Sequence, residues 1–241
     1  MKAIVCGANG AMGKLIQASL GSDRIGGLVS LDGENGVPKT FDELGVCGAD
    51  AIIDFSHHSA VRAVMEYAKA NHIAVVVGTT GHTAEEKEVI FEAAKHIPVF
   101  YSGNMSLGIA VLCRLAKQAA AAFPDADIEI VEIHHTRKVD APSGTAKMLF
   151  EAVKEVRPQA YANCGRAGEG KRTKDEIGIS ALRMGNVVGI HEVHICTPSQ
   201  TLTLRHEAAN RAMFADGAVA AAEFVAGKEA GLYNMEHFLN Q

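Results

Sequence analysis

A four-residue apolar strand, Ala3-Ile4-Val5-Cys6, runs directly into Gly7-Ala8-Asn9-Gly10-Ala11-Met12-Gly13, and helical spacing follows at Leu15, Ile16, Ser19 and Leu20. Strand, glycine loop and helix in immediate succession open a βαβ unit, which commits the chain to a sheet with helices packed on it. The alternation continues. Gly27 to Leu31 reads as a second strand ending at Asp32, and Ala51 to Phe55 as a third. Val61, Val64, Met65 and Ala68 then recur at i, i+3, i+4 and i+7, one face of a helix, with Ser59 as its expected N-cap. Ile73 to Val77 is a β-branched run suited to a buried parallel strand and closes on Gly78-Thr79-Thr80-Gly81. Thr83 and Glu86 have capping-box spacing ahead of a helix bearing Val89, Ile90, Ala93 and Ala94. Pro98 ends that helical region, and Val99 to Tyr101 starts another strand.

Beyond this point the rhythm changes. Leu107 to Phe123 is an Ala-rich helix, Ile128 to Ile133 a strand, and Ser143 to Val156 a helix. Strand-like stretches then follow one another near Ile177 to Met184, Val187 to Cys196 and Thr201 to Glu207, where Leu202 and Leu204 alternate with polar residues as in a half-buried strand. The expected fold class is therefore α/β: a Rossmann-like parallel-sheet nucleotide domain plus a smaller α+β domain with a mixed sheet. The expected boundaries are 1–104 with 213–241 for the dinucleotide-binding domain and 105–212 for a substrate-binding and oligomerisation domain. An Ala-rich helix at 213–226 returns the chain to the first domain. Composition agrees: 48% hydrophobic residues, 24 glycines and no tryptophan suit a helix-covered parallel sheet better than an all-β sandwich.

A formal charge of −5 argues against nucleic acid or an anionic membrane as a partner. The apolar runs are too short to span a bilayer, and the first residues read as a strand and not as a signal segment. Five cysteines, Cys6, Cys47, Cys113, Cys164 and Cys196, are odd in number and without CxxC spacing, which fits a reduced, cytoplasmic protein without structural disulfides.

Gly7, Gly10 and Gly13 allow a tight turn and close approach of backbone to a pyrophosphate, with the new helix aiming its N–H groups at the anion. The spacing is G-x-x-G-x-x-G and not the standard G-x-G-x-x-G. Asp32 lies about 20 residues on, where a carboxylate accepts bonds from ribose hydroxyls. An ordinary glycine turn with an exposed Asp32 satisfies the same spacing. Gly33 follows Asp32 with no arginine beside it to hold a 2′-phosphate, which favours NADH, although Lys39 is available from the loop. Two further loops follow strands at the same sheet edge, Gly78-Thr79-Thr80-Gly81 and Ser102-Gly103-Asn104-Met105-Ser106. Small residues there admit a flat nicotinamide, and Asn104 carries both a donor and an acceptor for its amide.

The densest chemistry lies in Glu132 to Ala146, EIHHTRKVDAPSGTA. His134, His135, Arg137 and Lys138 fall where a strand ends, and a helix begins directly after Pro142. Ser143, Gly144 and Thr145 offer hydroxyls and N–H groups at that helix start, a seat for a carboxylate. Lys138 and the imidazoles add charge and proton sources near neutral pH. A solvated basic loop has the same composition. No metal site is expected, because adjacent strand residues such as His134 and His135 face opposite ways and His191-Glu192-Val193-His194 is not a helical HExxH.

This segment resembles the signature of the 4-hydroxy-tetrahydrodipicolinate reductase family. The likeness extends along almost the whole chain, through VCGANGAMGK, Asp54-Phe55-Ser56, VVGTTG, SGNMSLGI and ISALRMGNVVGIHEV in the family's order. The resemblance implies a cytoplasmic, usually homotetrameric NADH- or NADPH-dependent reductase of a small dicarboxylate ring in lysine and diaminopimelate biosynthesis. It implies His134 as acid/base and Lys138 as proton donor, with His135, Gly144 and Thr145 on the substrate, beside Ser143 of the helix-start seat. It further implies Gly7, Ala8, Asn9, Gly10, Ala11, Met12, Asp32, Gly78, Thr79, Thr80, Ser102, Gly103, Asn104 and Met105 on the cofactor. Asn9 and the Ser102-Gly103 pair depart from the commonest family residues. Arg183, Gly185, Gly189 and His191 match a family pattern whose chemistry the sequence leaves unassigned. The rivals are a related reductase of another imine or keto acid, a non-catalytic dinucleotide-sensing protein, and a metal-dependent hydrolase.

Overall fold

The computed structural model describes residues 1–241. In chain order the elements are β1 (Ala3–Cys6), α1 (Ala11–Leu20), β2 (Ile25–Val29), α2 (Phe41–Leu44), β3 (Ala51–Asp54), α3 (Val61–Asn71), β4 (Ala74–Val77), α4 (Ala84–Ala93) and β5 (Pro98–Tyr101). There follow α5 (Leu107–Ala122), β6 (Asp127–His134), α6 (Gly144–Lys154), β7 (Tyr161–Cys164), β8 (Glu176–Arg183), β9 (Ile190–Thr197), β10 (Gln200–Glu207), α7 (Ala212–Val225), β11 (Gly231–Tyr233) and α8 (Met235–Leu239). The chain divides into two compact units, Met1–Ser106 with Ala212–Gln241, and Leu107–Arg211.

In the first unit six parallel strands lie in the order β11-β5-β4-β3-β1-β2. The strands β1, β3 and β4 are buried on both faces, which is why they read as unbroken apolar runs. One face packs Val5, Ile53, Val76 and Phe100 against Ile16 and Leu20 of α1 and the alanines of α7. The other packs Ile4, Ile52, Val75 and Val99 against Val61, Val64, Met65 and Ala68 of α3 and Ile90 and Ala93 of α4. The order reverses between β1 and β3, so the crevice at their carboxyl ends is the switch point where open α/β sheets take ligands.

The second unit is a five-stranded mixed sheet, β10-β9-β6-β8-β7, in which β6 runs antiparallel to β9 and parallel to β8. Its core sets Ile128, Ile130, Ile177, Val193 and Ile195 against α5 and α6. No helix of either unit is long and apolar enough to cross a membrane.

Several boundaries differ from the sequence expectations. A short 3-10 turn, His58–Ala60, leads into α3, so Ser59 already has helical backbone and the cap is His57, whose side chain accepts from Ser59 N–H. The capping box at Thr83 and Glu86 is present with both reciprocal bonds. Pro98 opens β5 instead of closing the preceding helix, and β2 ends at Val29, leaving Leu31 and Asp32 in a loop. In the edge strand β10, Leu204 packs on the core while Leu202 stays 38% exposed.

Candidate active site

The glycine loop is shaped by backbone crowding. Gly7 has φ +82°, and a Cβ there would stand 2.4 Å from the Phe55 carbonyl oxygen. A Cβ on Gly13 would stand 2.2 Å from the Gly7 carbonyl oxygen, so the first turn of α1 rests directly on the loop. Gly10 caps α1 without a side-chain bond, and the first turn holds no acidic residue. The amino end of α1 thus keeps its positive dipole end uncompensated, the arrangement that suits a pyrophosphate.

At the end of β2 the Asn9 amide donates to Asp32 Oδ1 at 2.6 Å and Glu34 N–H donates to the same oxygen at 3.1 Å. Those bonds, the one from Asn9 first, hold the Asp32 carboxyl below its ordinary range. The Lys39 stem covers Gly33, where a Cβ would stand 2.3 Å from Lys39 Cε. An open cavity of about 770 Å³ lies beside this loop, lined by Val29, Leu31, Lys39, Ser56, Ser59 and Ala63 among others. That volume is within the range of small-molecule sites.

Gly78 is covered by the Phe55 ring, which a Cβ would meet at 2.3 Å. Thr79 Oγ1 accepts from Ser56 N–H at 3.0 Å, tying the loop after β4 to the loop after β3. Ser102 Oγ donates to the Asn104 carbonyl at 2.7 Å, and Asn104 Oδ1 accepts from Ser106 N–H at 2.9 Å. Thr80 and Gly103 are exposed, while Ala8 and Met105 turn their side chains into the apolar core and offer only backbone.

The second unit builds its site from side chains. Along β6 the inward stripe is Ile128, Ile130, Glu132 and His134, so the apolar row turns polar over the last turn of the pleat. Register sets His191 of β9 opposite Glu132 and Arg183 of β8 opposite His134. Glu132 is wholly buried, and its carboxylate accepts from Arg183 Nη1 and Nη2 at 2.8 Å each and from Ser143 N–H at 3.0 Å, while Oε2 shares a hydrogen bond with His134 Nδ1 at 2.5 Å. Burial pushes the Glu132 pKa up, but Arg183, His134 and Ser143 together outweigh it and hold the group ionised. Burial lowers the His134 pKa, with the Glu132 contact opposing.

His191 meets the His134 ring edge-to-face at 5.0 Å, and its Nε2 shares a hydrogen bond with Ser143 Oγ at 3.1 Å. Burial, reinforced by neighbouring His134, pushes the His191 pKa down to about 4. Ser143 Oγ also accepts from Ala146 N–H at 3.2 Å as the N-cap of α6. Ser143 is thus buried and engaged on both its N–H and its hydroxyl. Gly144, by contrast, is exposed, with open space where a Cβ would project. Lys138 Nζ donates to Asp140 Oδ1 at 2.8 Å, and His135 Nδ1 is buried without a hydrogen-bond partner.

Of the residues singled out from sequence, His134, Lys138, His135, Ser143, Gly144 and Thr145 gather at the end of β6 and the start of α6. The glycine loop, Asp32, Gly78 to Thr80 and Ser102 to Met105 gather at the carboxyl edge of the first sheet. Sequence reasoning left Glu132 without a role and Arg183 and His191 unassigned. The signal was the i, i+2 continuation of Ile128 and Ile130 into Glu132 and His134, which puts a carboxylate and an imidazole on one buried face.

The parallel sheet and its glycine loop define a Rossmann-like protein of the nicotinamide dinucleotide-binding class. The family is narrower. Residues 1–105 match the family description "Dihydrodipicolinate reductase, N-terminus" and residues 108–239 match "Dihydrodipicolinate reductase, C-terminus". The 4-hydroxy-tetrahydrodipicolinate reductase of Alkaliphilus metalliredigens is 40% identical over 99% of both chains. That of Caulobacter vibrioides is 42% identical over 99% of this chain and 97% of its own. The dipicolinate-bound dihydrodipicolinate reductase of Paenisporosarcina sp. TG-14 has a TM-score of 0.81, 25% identity and 97% coverage of each chain. The chain belongs to the dihydrodipicolinate reductase family.

Proposed function

We propose that the protein reduces 4-hydroxy-tetrahydrodipicolinate to tetrahydrodipicolinate, with loss of water, in lysine and diaminopimelate biosynthesis. The observation that carries this reading is the cluster of His134, His135 and Lys138 beside the exposed start of α6, in a chain whose relatives carry that activity in their names.

The first unit binds the dinucleotide and the second binds the ring. The pyrophosphate lies on the Gly7 to Met12 loop, whose tight turn needs glycine at 7 because a Cβ there meets the Phe55 backbone. Asp32, held in place by Asn9, receives the ribose hydroxyls, which favours NADH. Lys39 is the residue placed for a 2′-phosphate when NADPH is used. Gly78, Thr79, Thr80 and the Ser102 to Met105 loop border the nicotinamide. When bound, the cofactor supplies a hydride to the ring position vacated by the hydroxyl.

Lys138, His135, Gly144 and Thr145 hold the two carboxylates of the substrate, while Ser143 shapes that seat through its cap and its bond to Glu132. Lys138 is the proton donor beside the ring, and His134 is the acid/base imidazole that bonds to the ring and relays its proton. Fixing the ring in one orientation is the largest contribution these residues make. The protein acts in the cytoplasm, as a homotetramer.

The test is to follow loss of the reduced-nicotinamide absorbance with freshly generated 4-hydroxy-tetrahydrodipicolinate and NADH or NADPH in separate reactions. Rapid substrate-dependent oxidation is the expected result, and the ratio of the two rates reads the cofactor preference. No oxidation by folded protein that binds the dinucleotide overturns the assignment in favour of another substrate. Light scattering of the purified protein tests the tetramer.

A further inference from the structure

The buried carboxylate behind His134 has a consequence for the role that imidazole plays. We infer that Glu132 and Arg183 are positioning residues that lock His134 with its proton on Nδ1, so that Nε2 meets the bound ring as a hydrogen-bond acceptor. The inference rests on the proposed function only in making His134 a group that faces substrate.

Three fixed donors converge on Glu132, both Arg183 amino groups and the Ser143 N–H, and His134 Nδ1 is its fourth contact. A guanidinium and a backbone amide offer hydrogens and no lone pairs, so the Glu132 oxygens facing them must accept. A carboxylate engaged this way has no hydrogen to give to His134. The Nδ1 nitrogen, 2.5 Å from Glu132 Oε2, therefore carries the proton of the contact. In the neutral ring the lone pair is then on Nε2.

The groups around the ring reinforce that state. Burial first, then Lys138 from the loop after β6 and Arg183 from β8, disfavour a second proton on His134, and together they outweigh Glu132, which favours it. From β9, His191 lies against the ring edge, with His206 of β10 beyond it. The Nε2 side is kept open by Gly189, where a Cβ would stand 3.1 Å from that nitrogen. Any larger residue at 189 crowds the acceptor.

The same network reaches the donor. Arg183 Nη2 donates to the Asp140 carbonyl at 2.6 Å, and the Asp140 carboxylate holds Lys138 Nζ. One guanidinium thus braces the acceptor through Glu132 and the ammonium through Asp140, dividing the two roles between two residues. An O–H or N–H of the ring finds its partner at His134, and a proton needed by the ring comes from Lys138.

The experiment is nitrogen-15 histidine NMR on the full chain near neutral pH, with His134 assigned by its disappearance in His134→Gln. Wild type is expected to show a protonated Nδ1 and an unprotonated Nε2. Glu132→Gln, whose amide can donate to Nδ1, is expected to move the proton to Nε2 or to mix the tautomers. The same variant is expected to lose on the order of 10²- to 10⁴-fold in kcat/KM, as when a histidine is held in the wrong tautomer. A protonated Nε2 in wild type overturns the inference, and that spectrum needs no variant to fold. An unchanged tautomer in Glu132→Gln removes Glu132 from the positioning role. Because the spectrum is independent of turnover, a protein with the expected tautomer and no reductase activity counts against the proposed function and leaves the histidine assignment standing.

Discussion

The two units build their candidate sites in opposite ways. The first uses backbone: Gly7 and Gly13 clear space, and the start of α1 presents uncapped N–H groups. The second uses side chains, with one buried carboxylate gathering an arginine, a histidine and a serine amide around it. A backbone cradle tolerates no added atom, while a side-chain network tolerates no lost partner. Substitutions in the two units are therefore expected to fail for opposite reasons, overpacking in one and unpaired charge in the other.

The sharpest break in that contrast is Lys138→Ala. It is expected to lower kcat/KM by about 10²- to 10⁴-fold while dinucleotide affinity changes by less than about twofold. Steady-state kinetics beside a dinucleotide titration read both, and retention of kcat/KM within a few-fold removes the lysine from the chemistry. Next comes Gly13→Ala, whose added methyl meets backbone. It is expected to cost about 3 kcal/mol in urea denaturation and to weaken dinucleotide binding at least about tenfold, because the loop itself must shift. An alanine variant of unchanged stability and affinity means that the cradle is looser than its geometry.

A third test uses pH. His191 has an ordinary pKa of 6.5 and a folded value of about 4, so the unfolded chain binds the extra proton first as pH falls. Its contribution is complete above about pH 6.5 and is lost as pH drops toward about 4, up to about 3 kcal/mol. His134, also lowered, adds in the same direction. Denaturation midpoints across that window are expected to fall steeply for wild type and less steeply for His191→Gln. Equal slopes place the titration elsewhere. The smallest effect belongs to Asn9→Ala, which frees Asp32 from a single bond. The ratio of kcat/KM for NADH over NADPH is expected to drop roughly two- to tenfold, the worth of one hydrogen bond. An unchanged ratio means that Asp32 is placed without Asn9.

The same contrast explains what the sequence made legible. The glycine loop could be read because its determinants sit within Gly7 to Gly13, with a strand on one side and a helix on the other. The helix α3 could be read because Val61, Val64, Met65 and Ala68 are all buried at the spacing that predicts it. Its cap could not, since the intervening 3-10 turn depends on how His57 folds back over Ser59. Of the four edge strands, β2 and β10 could be read, while β7 and β11 were silent. Residues of β7 are mostly exposed and show no alternation, and β11 is three residues long. Glu132 was hidden for a different reason. Its partner Arg183 lies 51 residues away, and only the register of β6 with β8 brings them together. Proximity in sequence reveals a loop; a charge network across strands appears only once the sheet is assembled.

The placement of α7 and β11 fixes an order in which the molecule can be completed during synthesis. The second unit is one continuous stretch, Leu107–Arg211, and has all its strands once that stretch has emerged. The first unit is interrupted: its sheet gains an edge strand, and one face the second of its two covering helices, only when Ala212 to Tyr233 arrives. A nascent chain ending just short of α7 thus exposes Ile53, Val76 and Phe100 on the part of the sheet face that awaits its helix. The part of the chain made first is the part finished last, and for that interval its apolar sheet face is open to aggregation.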